Sequence, residues 1–506
     1  AALFGAGTFY DAYLGAFRIP NLLRDLFAEG ALSTAFTTVF TKKLEQEGDA
    51  PAWHLANLVL TILTVTMGLI CFLGILFAPW IVEFMNPGFH SVAGKFELTV
   101  KLTRILFPFI GLVSVAALVM GMLNSKMIFG IPSSASSAFN FVSVIAGVAL
   151  AYAFSPQQDW RSPHFDERGV IGISLGVLLG GLAQLLIQLP SLWKVGFRFK
   201  WKWDLSHPGL REVWVLMIPS VIAGSAVQVN VSVNGIFASH IDGAYSWLSY
   251  AFRLLQFPIG VFGVAIATAT LPAVARQQAR NDLVAFGVTL KQSLRFMFFL
   301  TIPSMLGLLF FAPQIIQVLF ERGRFHASDT HQTALALQAY LLGLVGYAGI
   351  KVLTPCFYAL GLPKVPLRVS LLSMGLNLVL NGVMFYFFHL GHIGLALSTG
   401  FLAMINFLQL FFAMRRHLDL GTLREWTIDL SKIFFAAILA VLLAREAGMV
   451  ADICLRWEGT PFVQQILRLS VILSIAGAAY LGIGWLLKME EMTSFVLLLK
   501  RKLGKK

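Results

Sequence analysis

The sequence predicts an all-α polytopic membrane protein: two six-helix lobes related by an internal repeat, then two C-terminal helices, with the first helix of the first lobe largely missing from the chain. Three observations carry this reading. Of 506 residues, 57% are hydrophobic and only 12% charged, about half the charge of an ordinary soluble domain, and the mean hydropathy is +0.77. Long windows free of Asp, Glu, Lys and Arg recur from one end to the other. Two stretches some 235 residues apart read alike.

A folded globule cannot hide this much apolar surface inside itself, so lipid is the solvent for most of it. That excludes a cytosolic enzyme, a secreted disulfide scaffold and a disordered tail. A net charge of +13 would suggest nucleic acid in a soluble protein; in a membrane protein it reflects basic cytoplasmic loops, and no nucleic-acid partner is expected. Cys71, Cys356 and Cys454 have no CxxC spacing and read as packing residues, neither a disulfide framework nor a metal site.

A bilayer core of about 30 Å needs about 20 apolar residues per helix. The first candidate span, 8–41, is apolar and amphipathic but carries Asp11, Arg18, Arg24, Asp25 and Glu29 and is interrupted by Pro20 and Gly30. Clean windows follow at 55–82, 105–125, 131–154 and 169–193, completing a first lobe of residues 1–195. The second lobe, 196–420, holds 213–241, 254–275, 296–320, 332–358 and the double-length run 369–414, which His389-Leu390-Gly391-His392 divides. Lys351 lies near the inner end of its span, where snorkelling is the default. The remaining residues, 421–506, supply 428–447, 469–487 and a basic tail. Thirteen spans result.

Thirteen spans put the two ends on opposite sides, and the tail Lys500-Arg501-Lys502 with Lys505-Lys506 marks the C-terminus as cytoplasmic. With alternating sides the inner loops hold 23 Lys plus Arg and the outer loops 10, a bias that one missed helix would scramble. Ala1 then falls outside, and a missing upstream helix is the simplest repair. The repeat is read from FAPWIVEFMNPGFH at Phe77 and FAPQIIQVLFERGRFH at Phe311, followed by SSAFNFV with Asn140 and SMGLNLV with Asn377. A second pair, Ala16-Phe17-Arg18 and Ala251-Phe252-Arg253, is offset by 235. Matching segments lie an even number of spans apart, so the repeats run parallel.

An ionised side chain at bilayer depth costs roughly 2.5–3.5 kcal/mol and usually faces a bundle interior or wet cavity. Arg18 and Arg24 sit beside Pro20, and Arg253 precedes Pro258 and Gly260, so each lobe brings arginine to a bent helix. Arginine binds phosphate through two parallel hydrogen bonds and stays charged, so such a cavity suits an anionic lipid head group. Arg24 and Arg253 are favoured for this role. For Arg18 and Asp25 the alternative is snorkelling or pairing at a helix end. Asp11 reads as a helix N-cap at the outer surface and Glu29 as a counter-ion orienting the arginines. Asn377 and Asn381 share one helical face and Asn234 sits deep in another span; helix-to-helix hydrogen bonding and a small-cation site are both open. His54, His240 and His326 read as loop or interface residues. No catalytic constellation, metal site or cofactor is expected, since the longest outer loops, 155–168 and 446–468, offer no nucleophile with a base.

The segment FGAGTFYDAYLGAFRIPNLLRDLFAEGALSTAFTTVF (4–40) resembles the bacterial lipid II flippase family (MurJ, formerly MviN) of the multidrug/oligosaccharidyl-lipid/polysaccharide exporter superfamily. FGAG, DA, the IPNLLR run and FAEGA carry the likeness, which continues through YAFRLLQFPIGVFGVAIATATLPAVA (250–275) and the GRF of 323–325. The resemblance implies fourteen helices with both ends cytoplasmic, the first helix being absent here. It implies export of undecaprenyl-diphosphate-linked disaccharide-pentapeptide across the bacterial inner membrane for peptidoglycan synthesis, without enzymatic chemistry. Arg24 and Arg253, with Arg18, then engage the diphosphate; Asp11 lies near the outer gate, Glu29 in the cavity, and Asp25 among the pairing charges. The last two helices border a groove for the lipid tail. A sodium site of the kind found in some relatives would fall near Asn234, Asn377 and Asn381, which lack a carboxylate; coupling to the membrane potential or to a monovalent cation is the expected drive. A monomer among membrane lipids is expected. The rival readings are a drug/cation antiporter of the same superfamily, a polytopic glycosyltransferase or ligase acting on lipid-linked sugars, and, more remotely, a scaffold for wall-synthesis enzymes.

Overall fold

The structure, a computed structural model, describes residues 1–24, 32–155, 165–454 and 461–492, and every regular element among them is helical. Two compact units result, Ala1–Ser246 and Trp247–Lys506.

In the first unit, α1 (Thr8–Leu23) and α2 (Ser33–Glu47) flank undescribed residues 25–31. Gly48 (φ +85°) turns the chain into α3 (Asp49–Leu76). Phe77 leaves the helical region (φ −90°, ψ 8°) and Pro79 starts α4 (Ala78–Met85), so the apolar window 55–82 is a long helix and a short one. Hydropathy is blind to such a break because both pieces are apolar. Then come α5 (Lys95–Leu106), α6 (Pro108–Ser125), α7 (Gly130–Phe154), α8 (Glu167–Leu186), α9 (Leu189–Lys194) and α10 (Pro208–Ala238). Asp166 caps α8 by accepting from the Arg168 N–H at 2.9 Å. A Cβ at Gly176 of α8 would lie 2.3 Å from Gly147 Cα of α7, so only glycine permits this backbone approach.

The second unit takes up α11 (Ala244–Pro258) from Trp247 onward, then a π-helical turn Ile259–Val264, α12 (Ala265–Ala279), α13 (Leu283–Phe320), α14 (Ala327–Leu341), α15 (Leu344–Ala359), α16 (Lys364–Gly382), α17 (Gly391–Met414), α18 (Leu423–Cys454) and α19 (Pro461–Leu486). The run 369–414 is divided at His389, which adopts φ 50°. Thr422 and Glu425 form a reciprocal cap on α18. Arg295 of α13 ties down the terminal pair: it reaches Asp429 at 3.1 Å and Glu490 and Glu491 at 2.8 Å each, and the Tyr480 hydroxyl donates to the Phe299 carbonyl at 2.7 Å. The region 446–468 is mostly helix, since α18 runs to Cys454 and α19 begins at Pro461.

Among the described residues ten helices are long and apolar enough to cross a bilayer, and α14 with α15, bent by 46°, makes an eleventh span. The other two expected spans correspond to α1 with α2 and to the 31-residue α10. The first unit ends at Ser246, later than the lobe boundary expected at 195/196. The reason is packing: Leu210, Val213 and Met217 of α10 share a buried cluster with Leu55, Val59 and Ile62 of α3.

Candidate functional site

Asp11 opens the site. It is not a helix N-cap at the surface: Gly7 precedes α1, and Asp11 lies in the first turn, 0% exposed. The Lys95 ammonium, itself 1% exposed, donates to Asp11 Oδ2 at 2.9 Å and to Asp242 Oδ1 at 2.7 Å. The Gly243 N–H donates to Oδ2 at 2.7 Å, the Ser246 N–H to Oδ1 at 2.9 Å, and the Ser246 hydroxyl also to Oδ1. Asp11 therefore caps the start of α11 rather than its own helix, with donors on both oxygens. A buried carboxylate is tolerated only when paired and hydrogen-bonded in this way.

About two turns along α1, the Arg18 guanidinium lies 5.1 Å from the Tyr245 ring centroid, within cation–π range. The Tyr245 hydroxyl donates to Asn86 Oδ1. A Cβ on Gly235 would meet Arg18 Nη1 at 2.6 Å and the Tyr245 hydroxyl at 2.7 Å, so glycine makes room for both groups. Gly88 follows the same logic, its N–H donating to Ser239 Oγ at 3.0 Å. The result is a closed polar junction of α1, the 86–94 turn, the start of α5, the 239–243 loop and the first turn of α11.

Arg24 is half-buried at the C-cap of α1, where its N–H bonds the Pro20 and Asn21 carbonyls. Asp25 and Glu29 lie outside the described residues. In the second unit Arg253 is exposed on α11 and has no hydrogen-bond or ion-pair partner among the described residues. It is followed by Pro258 and the π-helical turn. Asn377 and Asn381 are buried on α16; the Asn381 amide donates to Asn377 Oδ1 at 3.1 Å, and the Ser398 hydroxyl of α17 donates to Asn381. This ties one helix to the next. Asn234 is half-buried on α10 in the first unit.

Sequence reasoning missed Lys95, Asp242, Tyr245 and Ser246. Lys95 reads as one more outer-loop cation, because its partners are 84 and 147 residues away. The repeat did hold a signal: Asp11 and Ser246 are 235 residues apart, the same offset as Arg18 and Arg253.

Many apolar helices in two units, with arginine retained on helices of both, define a multi-pass membrane transporter. The chain is similar to a multidrug resistance MATE family transporter of the MOP superfamily in its inward-facing conformation, with a TM-score of 0.67, 13% identity, and coverage of 81% of this chain and 91% of that one. It is also similar to a lipid II flippase MurJ in an inward closed conformation, with a TM-score of 0.75, 24% identity, and coverage of 94% and 93%. Each of these shows the fold. The sequence model of the family described as lipid II flippase MurJ matches residues 1–456. A probable lipid II flippase MurJ of Vibrio cholerae is 35% identical over 96% of this chain and 90% of its own, and a lipid II flippase MurJ of Burkholderia cenocepacia is 33% identical over 96% and 92%. The chain belongs to the lipid II flippase MurJ family.

Proposed function

We propose that the protein moves lipid II, the undecaprenyl-diphosphate-linked disaccharide-pentapeptide, from the inner to the outer leaflet of the bacterial inner membrane, without covalent chemistry. The observation that carries the role of the site is Arg253: an exposed guanidinium on a membrane helix, with no protein partner among the described residues. Such a group is costly in an apolar setting and is a ready bidentate partner for a diphosphate. Arg24 shares this work. Arg18, stacked under Tyr245, serves the first unit's packing and supports the diphosphate only when that junction opens.

Transport proceeds by alternating access, the cavity opening to one side and then the other, and the membrane potential supplies about 2.3 kcal/mol per charge moved per 100 mV. The C-terminus is cytoplasmic by the loop charge bias, and the protein acts as a monomer. The test is rescue of cells depleted of their lipid II flippase, together with transfer of labelled lipid II across vesicles holding the purified protein. Growth and transfer are expected. Transfer of cationic drugs in place of lipid II would support the antiporter, and covalent product would support a transferase.

A further inference from the structure

In the second unit α15 is enclosed on three sides. Its residues Leu344, Val345, Ala348, Val352, Leu353 and Phe357 are buried, and the helix packs against α12 with its π-helical turn, against α13 and against α17. What stays open is a narrow stripe with the spacing i, i+4, i+7, i+11 of one helical face. Tyr347 and Thr354 are half-buried in it and Lys351 and Tyr358 are exposed, with the half-buried Ile350 and Pro355 at its borders. All four stripe residues are polar. Neighbouring helices of the same unit open on different chemistry: beyond its first turns α16 exposes Leu371, Leu372, Leu378 and Val379, and α17 exposes Phe401, Leu408 and Phe412. Those faces suit acyl chains; a Tyr-Lys-Thr-Tyr face suits water.

Two further features place water at Lys351. Snorkelling to the inner surface is the default for a lysine near a helix end, but α15 continues eight residues past Lys351 to Ala359, a rise of about 12 Å. Pro355 lies inside the helix and has no N–H to give the Lys351 carbonyl, and a freed carbonyl at membrane depth is tolerated where protein or water satisfies it. The Lys351 ammonium has no hydrogen-bond or ion-pair partner among the described residues, and the Thr354 and Tyr358 hydroxyls have no hydrogen-bond partner among them either. The head of the stripe stands beside Arg253, since Phe252, the residue before it, meets the Tyr347 ring edge-on with centroids 6.2 Å apart. One helical turn, about 6 Å of rise, then separates Tyr347 from Lys351.

We propose that the Tyr347–Tyr358 stripe of α15 lines the path of the transported head group, and that Lys351 is a second cation for its diphosphate, taking one phosphate while Arg253 takes the other. The inference rests on the lipid II reading above. A diphosphate diester carries one negative charge on each phosphorus, which one arginine and one lysine on neighbouring helices match. Arginine supplies the bidentate grip and lysine a point charge on a flexible stem.

The test uses the full chain purified into vesicles for transfer of labelled lipid II, and the same protein in detergent for binding of farnesyl diphosphate against farnesyl monophosphate. Lys351→Gln is expected to raise the lipid II concentration for half-maximal transfer about tenfold, the worth of one charged hydrogen bond, and to remove most of the preference for diphosphate over monophosphate. The unfolding temperature should not move, and Lys351→Arg, which keeps the charge, should restore both readouts. Transfer and binding by Lys351→Gln equal to those of the parent overturn the proposal and leave the lipid II reading standing. A lowered unfolding temperature with unaltered diphosphate binding also overturns it, by marking the lysine as structural. A parent that moves no lipid II, yet binds farnesyl diphosphate through Lys351, upholds the diphosphate site and ends the substrate reading. The wet face has its own check. With Cys71, Cys356 and Cys454 replaced by alanine, Thr354→Cys in nanodiscs should react with a charged thiol reagent and Leu371→Cys should not; no reaction at position 354 overturns the path.

Discussion

Arg18 and Arg253 hold the same place in the two repeats, 235 residues apart, and live in opposite surroundings. Arg18 is packed under the Tyr245 ring against Gly235, about two turns from an ion pair that is almost wholly buried. Arg253 is exposed on α11 and unpartnered among the described residues. The difference lies in the neighbours. In the first unit the 239–243 loop and the first turn of α11 fold onto α1 and supply Gly243, Tyr245 and Ser246. In the second unit the α11 residue next to Ser246, Trp247, instead donates its ring N–H to Asp329 at 3.1 Å, in the cap of α14. The same tripeptide, Ala-Phe-Arg, thus carries its cation on a helix in both units, and local contacts decide whether that cation is packed or exposed.

The strongest way to break this contrast is to open the packed side. Lys95→Met leaves Asp11 buried without its cation, and a loss of about 3–5 kcal/mol of stability is expected. It would be read as a lowered unfolding temperature of the purified protein, with Asp11→Asn/Lys95→Met less harmful than the two single changes added together. Next in size, Arg253→Ala should cut lipid II transfer in vesicles about tenfold to a hundredfold, the worth of a charged hydrogen bond, with the unfolding temperature unmoved. Arg18→Ala should do the reverse, costing stability of about 0.5–2 kcal/mol through the lost ring contact. Equal transfer losses in both arginine variants, with neither destabilised, would end the distinction.

The smallest effect is a pH control away from both arginines. Burial, and then the charges of Lys43 and His54, hold His207 below the usual histidine range, against weaker opposing pulls from Asp204 and Glu47. Its neutral Nδ1 accepts the Gly209 N–H at 3.1 Å at the start of α10. Above the ordinary value near 6.5 this cap contributes fully. As pH falls below that value the unfolded chain takes up the proton first, so the contribution shrinks and is gone below the folded value. His207→Asn, which keeps a capping oxygen, should flatten that part of the unfolding profile.

Most of the spans were legible because apolar length is a local property. Asn377 and Asn381 were placed on one face by spacing alone, and they are hydrogen-bonded there. The break at Phe77 was not legible, although Phe311 repeats it (φ −105°, ψ 15°) inside α13. The hint in both copies is a proline two residues on, Pro79 and Pro313, whose ring disfavours a continuous helix. The role of Asp11 was hidden for another reason. A charge in an apolar window announces that it needs a partner without saying which, and here the partners come from positions 95 and 243–246. The association of α10 with the first unit was hidden likewise, since it rests on side chains meeting across some 150 residues of sequence.

The Asp11 cluster also sets an order of assembly. When α1 leaves the ribosome its carboxylate has neither cation nor capping donors; Lys95 is 84 residues away and Ser246 235. At about 5–20 residues per second, the donors at Ser246 follow Asp11 by roughly 12–47 s of synthesis. A buried carboxylate without its partners is costly, so α1 cannot take up its final packing on insertion. It has to wait at the translocon or in a wet intermediate until ten helices have been made. The first helix of this chain to be synthesised is therefore among the last of its unit to be locked in place.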